Sequence, residues 1–209
     1  MTDLLRNTAQ ALAAALDGRE PRRLHTPDAR PAAVLMPLWQ QAGGLQVVFT
    51  KRTSHLPHHA GQISFPGGMA DPDDPDLAYT ALRETCEEIG VCEGLVEVVA
   101  RLDQLLTITN FLVTPFVGLV EPSARFAPNP VEVERMIVVP LLKVLDPACY
   151  QPTDVCWQGM TLRQTALSHQ GEIIWGATAR ILLNLLEILG ENGLAAVRAA
   201  AAGDGCRAA

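Results

Sequence analysis

Asp76-Leu-Ala-Tyr-Thr-Ala-Leu-Arg-Glu-Thr-Cys-Glu-Glu-Ile-Gly-Val91 carries the marks of an amphipathic helix at both ends. The Asp76 carboxylate can accept from the first free N–H groups, and Gly90 suits a left-handed stop. At about 100° per residue, Ala78, Ala81, Leu82, Thr85 and Ile89 fall on one stripe that should face a core. Glu84, Glu87 and Glu88 fall on the adjoining arc, spaced so that their side chains are neighbours. Like charges at these spacings cost about 0.2–0.5 kcal/mol per pair. They also sit towards the helix C-terminus, where the macrodipole disfavours negative charge. A sequence selected only for a stable helix would place Lys or Arg there. A hard divalent cation removes both costs, and Mg²⁺ and Mn²⁺ prefer such oxygen ligands. Taken alone, this arc with Arg83 as ion-pair partner reads as a solvated charged face. The residues upstream change that reading.

Phe65-Pro-Gly-Gly68 and a loop with four aspartates, Asp71–Asp76, precede the helix. Paired glycines let a backbone bend tightly and approach a ligand closely. Further out, Ala33–Leu38 and Leu45–Thr50 read as strands joined by a hairpin loop at Gln40–Gly44. Gln62–Phe65 reads as a short strand broken by Pro66-Gly67-Gly68. Downstream, Val96–Leu106, Val113–Val120 and Met136–Val139 read as strands, with Pro115 pointing to a bulge or an edge. Asp154–Arg163 suits a hairpin, and residues 177–190 an apolar helix. Residues 2–17 suit an amphipathic helix, 18–31 a charged arm with three prolines, and the Ala-rich stretch from Ala195 a frayed or disordered tail. The expected organisation is an N-terminal helix and arm (1–30), a domain (31–194) and a tail (195–209). Strands, helix, strands, helix imply an α/β fold with a mixed sheet.

The chain has 209 residues, 48% of them hydrophobic, which suits one domain with a sizeable core. A formal charge of −7 argues against general nucleic-acid binding. It does not exclude a phosphorylated substrate, because a metal can supply positive charge. There is no run of about 18 apolar residues to span a membrane and no secretory signal pattern, so a cytoplasmic protein is expected. The cysteines number five and lack CxxC spacing, which argues for reduced thiols rather than a zinc site or disulfide framework.

The glycine loop and helix together resemble the Nudix box, G-x5-E-x7-REUxEExGU, where U is a bulky apolar residue. Gly68 matches the first Gly, and Arg83-Glu84-Thr85-Cys86-Glu87-Glu88-Ile89-Gly90-Val91 matches the end. The spacing from Gly68 to Arg83 is one residue longer than in the general box. The upstream Glu is replaced by an aspartate, Asp74 or Asp76, and Thr85 stands at U. The resemblance covers about residues 30–190 and implies a Nudix-like α/β/α sandwich with a mixed β-sheet. Thr50-Lys-Arg52, His59-Ala-Gly-Gln62 and Phe65-Pro-Gly-Gly68 further resemble the extra motif of the coenzyme A pyrophosphatase subfamily. Two positions depart from it: Thr53 follows Arg52 where a smaller residue is usual, and Pro57 stands where that motif has its second Arg.

The resemblance implies hydrolysis of a diphosphate bond with Mg²⁺ or Mn²⁺, Glu84, Glu87, Glu88 and the Gly68 carbonyl being metal ligands. Arg83 would hold the helix carboxylates. Glu132 is the first candidate for the base, with Glu87 or Glu88 as alternatives. The small-molecule partner would be a CoA-like nucleoside diphosphate derivative, split to 3′,5′-ADP and 4′-phosphopantetheine. Lys51, Arg52 and His59, with Gly67 and Gly68, are the substrate-binding candidates, and Arg125 is a more distant cation. Histidines 55, 58 and 59 suit loop or hydrogen-bonding roles better than ligation of a hard cation. The competing readings are hydrolysis of ADP-ribose, dinucleotides or nucleoside triphosphates, and a Nudix-fold binding module without catalysis. Against the last stand the intact Glu84, Glu87 and Glu88. Nucleic acid and membrane are not expected partners, and a homodimer stays open.

Overall fold

The computed structural model describes residues 1–54, 61–157 and 159–203. In chain order the elements are α1 (Asp3–Leu16), β1 (Arg30–Gln41), β2 (Gly44–Arg52), β3 (Ile63–Ser64), β4 (Gly67–Met69), α2 (Leu77–Ile89), β5 (Val96–Arg101), β6 (Leu105–Leu106), β7 (Phe111–Val120), β8 (Val133–Pro140), α3 (Leu141–Val144), β9 (Tyr150–Trp157), β10 (Met160–His169), β11 (Glu172–Ile174) and α4 (Gly176–Ala202). The main sheet runs β3-β2-β1-β7-β5, with β4 on β1, β6 on β7 and β8 on β2. It is mixed: β1 and β7 are parallel, and the other pairs are antiparallel. β9, β10 and β11 form a second, antiparallel sheet.

Alternation along the strands sends side chains to two cores. Leu35 and Phe116 meet Ala81 and Leu82 of α2 on one face, and Val48 and Val120 meet Ile89 and Val91. Met36, Val47 and Phe49 join Leu5 of α1, Val144 of α3 and Leu182 of α4 on the other. The result is an α/β/α sandwich with α2 alone on its face among the labelled helices.

α2 begins and ends as its sequence implies. The Asp76 carboxylate accepts from Tyr79 N at 2.8 Å, and Gly90 takes the left-handed conformation at φ 72°, donating to the Cys86 carbonyl. Asp76→Ala should cost about 1 kcal/mol of stability, read as a lower urea midpoint with unchanged slope.

Several expectations need correction. Pro66-Gly67-Gly68 does not simply break a strand, because Gly67 and Gly68 lie in β4, paired with Val34 and Ala33 of β1. Pro115 is neither at an edge nor in an edge strand, since β7 is central. Its carbonyl accepts from Leu102, in the gap between β5 and β6, so its missing N–H falls where no strand needs it. The stretch Val96–Leu106 is therefore two strands. Between them Asp103 takes the Arg19 guanidinium, Arg22 N and Asn184 Nδ2, and Gln104 bonds to Thr114 and Leu24. Those bonds lay the N-terminal arm along the sheet.

The Ala-rich tail is also ordered as far as Ala202. α4 is interrupted at Gly190, whose φ is 57°, and continues as helix. Val197 and Ala201 are buried in the core that includes Leu5 and Leu12 of α1. Small side chains let the two helices approach closely, as Gly193 does against Ala15. Residues 204–209 lie outside the described set. Finally, Cys86 and Cys92 form a disulfide, with Cα atoms 4.3 Å apart. The left-handed turn at Gly90 brings the chain back past the last turn of α2, so the absence of CxxC spacing does not keep the two apart. Cys149 and Cys156 are free.

Candidate active site

α2 presents its carboxylates to three different environments. Glu87 is 56% exposed in its side chain and Glu84 18%, while Glu88 is only 2% exposed as a residue. Arg83 gathers Glu84 and Glu87 from within the helix. Its Nη1 donates to Glu84 Oε1 at 2.8 Å and to both Glu87 oxygens at 3.4 Å. Its Nε and Nη2 donate to the two oxygens of Asp74 at 2.9 and 3.0 Å, and Nη2 also to the Met69 carbonyl at 3.0 Å. This planar fork needs a guanidinium, because a lysine offers only a point charge. The choice left open between Asp74 and Asp76 is thus resolved: Asp74 anchors Arg83, and Asp76 caps the helix. The bonded Arg83 guanidinium holds the Asp74 carboxyl well below the usual carboxylate range, and Asp74 in turn raises Arg83 further.

A depressed carboxyl stabilises the fold above its unfolded value near 3.8, and that contribution is lost as pH falls towards the folded value. Asp74→Asn should therefore cost about 2 kcal/mol at neutral pH. The gap to wild type should shrink on acidification below pH 4, read by urea melts across pH.

Glu88 is held from the sheet side. Thr50 Oγ1 donates to its Oε2 at 3.4 Å, and Arg52 Nη1 lies 3.7 Å from its Oε1. Burial nevertheless pushes the Glu88 carboxyl up to about 8, Arg52 opposing and Glu132 and Glu84 reinforcing the rise. Burial also raises Glu84, where Arg83 opposes and Glu87 and Glu132 reinforce. Glu132 is therefore close enough to act on both helix carboxylates. The turn bearing it sits on the end of α2: Ala127 N donates to the Ile89 carbonyl at 2.8 Å and Asn129 N to the Glu88 carbonyl at 2.9 Å.

The glycines close the arc. A side chain on Gly67, at φ 149°, would overlap the Ala33 carbonyl oxygen and stand 2.6 Å from Val34 Cα. A side chain on Gly68 would overlap the Glu84 carboxylate itself. Among the described residues no three acidic, His or Cys side chains form a ready ligand cage. The carboxylates make an open arc with more negative charge than Arg52 and Arg83 neutralise. The donors are all oxygens, and buried Glu88 is destabilised in its charged form. Such a donor set fits a hard divalent cation.

Residues 29–153 match the family model of the NUDIX domain. The chain belongs to the Nudix hydrolase family. Nudix hydrolases act on pyrophosphate bonds and generally need divalent metal ions. The chain is 38% identical over 167 residues to an uncharacterised Nudix hydrolase, NudL, of Photorhabdus laumondii, covering 80% of this chain and 88% of that one. It is 38% identical over 158 residues to NudL of Yersinia pestis, covering 76% and 79%. Among solved structures, it is similar to a MutT protein from Methanosarcina mazei at 22% identity and TM-score 0.44, covering 59% of this chain and 84% of that one. A MutT/nudix family protein from Enterococcus faecalis gives 14% identity and TM-score 0.47, with 83% and 71% covered.

The Nudix helix thus gathers Arg83, Glu84, Glu87, Glu88, Gly68 and Glu132, with Arg52 beside Glu88. Lys51 goes elsewhere. Neighbours on a strand face opposite ways, and Lys51 Nζ pairs with Glu172 at 3.2 Å and Glu134 at 3.8 Å. Pro57 and His55, His58 and His59 lie outside the described residues. Thr50 and Asp74 were not separate candidates in the sequence. The signal for Thr50 was available, since period two puts it on the face of Arg52. No helix among the described residues is long and apolar enough to cross a membrane.

Proposed function

We propose that this Nudix hydrolase cleaves the diphosphate bond of coenzyme A or a derivative, giving 3′,5′-ADP and 4′-phosphopantetheine or its acyl form. The observation that carries the chemistry is the oxygen-only arc in which Arg83 holds Glu84 and Glu87, Thr50 and Arg52 hold Glu88, and Glu84 lies against Gly68. The substrate assignment is supported by Thr50-Lys-Arg52 and Phe65-Pro-Gly-Gly68, with Arg52 turned towards the arc.

Glu84, Glu87, Glu88 and the Gly68 carbonyl would hold Mg²⁺ or Mn²⁺. Such an ion would supply the positive charge a carboxylate-rich site needs to admit a diphosphate and would acidify the attacking water. Arg83 keeps Glu84 and Glu87 from splaying. Thr50 and Arg52 fix the rotamer of Glu88. Glu132, whose charge acts on both Glu84 and Glu88, is the proposed acceptor of the water proton, ahead of Glu87 and Glu88, which this reading commits to ligation. Arg52 would meet an anionic group of the substrate, with His59 assigned to the same task from its sequence position.

The test is a hydrolysis panel of CoA, oxidised CoA, ADP-ribose, NADH and nucleoside triphosphates with Mg²⁺ or Mn²⁺, products identified by mass spectrometry. The expected result is fastest turnover of a CoA species to 3′,5′-ADP. Fast ADP-ribose turnover with CoA untouched would transfer the chemistry to the second reading, which Pro57 favours at the sequence level.

A further inference from the structure

In the turn that carries Glu132, Val133 is buried but Val131 is 71% exposed and gives no apolar anchor on the near side. Polar ties hold this part of the turn. On the helix side, Asn129 N donates to the Glu88 carbonyl at 2.9 Å, and the Asn129 carbonyl accepts from Glu132 N at 3.1 Å and Val133 N at 2.8 Å. Asn129 Oδ1 accepts from Val131 N at 3.1 Å. On the sheet side Val133 pairs with Arg52 of β2, and Thr53 adds two bonds. Thr53, just past the end of β2, is 7% exposed. Its N–H donates to the Glu132 carbonyl at 3.0 Å, and its hydroxyl donates to the Val131 carbonyl at 3.0 Å.

Those two carbonyls belong to the peptide groups on either side of the Glu132 Cα. Fixing both fixes φ and ψ of Glu132 and so the direction of its Cα–Cβ bond, because planar peptides leave only those two soft dihedrals. We infer that Thr53 is a positioning residue for the hydrolytic reaction, its hydroxyl setting the direction in which the Glu132 carboxylate enters the site. This rests on the reading of Glu132 as proton acceptor. The strand end that presents Arg52 to Glu88 thereby also aims Glu132, so β2 sets two sides of the site through consecutive residues.

Thr53→Val removes the hydroxyl and keeps the shape. It should lower kcat by about tenfold, as expected for a displaced reacting group, with KM changed less than about twofold and the melting temperature nearly kept. Thr53→Ser, which retains the donor, should restore most of the rate. Glu132→Gln should be slower than Thr53→Val, and the double variant no slower than Glu132→Gln, since both act through one carboxylate. A Thr53→Val enzyme with wild-type kcat beside a slow Glu132→Gln enzyme would overturn the inference and leave the Glu132 reading intact. A Glu132→Gln enzyme as fast as wild type would overturn that reading. It would also overturn the inference, whatever Thr53→Val did, because no effect could then run through Glu132. If Thr53→Val did not fold, Thr53→Ala is read by the same criteria.

Discussion

Glu88→Gln should lower kcat/KM by about 10²–10³-fold while leaving the metal-free protein at least as stable as wild type at pH 8. The two effects have opposite signs because Glu88 suits the site and not the fold. It is buried beside β2, with Thr50 and Arg52 as its sheet-side partners, and two further carboxylates act on it. Its folded value of about 8 lies above the ordinary 4.5, so across that window the folded chain holds a proton that the unfolded chain lacks. Stability of the metal-free protein therefore falls as pH rises from about 5 to 8. Glutamine has nearly the same shape and no charge to bury, so the variant should escape that fall. Thermal melts in EDTA across this range, paired with initial rates in excess metal, read both halves. A purely structural Glu88 would lose stability and activity together.

Gly67→Ala and Gly68→Ala should separate in the same way. The Gly67 clash is with the backbone of β1 at a φ that side chains rarely adopt. The strand pairing that seats the glycine loop should then fail, at a cost of at least about 2 kcal/mol, seen as a lower denaturation midpoint. The atoms nearest a side chain on Gly68 are those at the far end of Glu84. The Glu84 side chain can swing aside at small cost to folding, but its carboxylate then leaves the arc. Gly68→Ala should keep its midpoint within about 1 kcal/mol of wild type and lose about 10²-fold in kcat/KM, as a misplaced ligand allows. Midpoints from urea titration and rates on one preparation decide between fold and site for each glycine.

What was legible in the sequence follows from the range of the physics. The limits of α2 are local, set by Asp76 and Gly90 within a turn of the helix, and both caps are where their residue types put them. The stripe of Ala81, Leu82, Thr85 and Ile89 follows from periodicity alone. Counted from Gly68 the box falls on Asp74, but counted back from Arg83 it falls on Pro75, between Asp74 and Asp76, and which one meets Arg83 depends on how the Asp71–Asp76 loop folds against the helix. The Cys86–Cys92 bond was hidden for a similar reason: the turn at Gly90, not the spacing, sets the distance. The tail continues as helix to Ala202 because α1, far away in sequence, covers Val197 and Ala201. Lys51 is different. Strand alternation sets it opposite Arg52, where it pairs with Glu134 and Glu172.

Manganese binding, followed by the loss of free-ion electron paramagnetic resonance signal, tests the carboxylate arc most directly. Wild-type protein should bind Mn²⁺, with Mg²⁺ competing. The Glu84→Gln/Glu88→Gln double variant, folded by circular dichroism, should bind it at least about tenfold more weakly, as loss of two charged ligands requires. Equal binding by the two proteins would contradict the assignment of this helix as the metal site of the Nudix reaction.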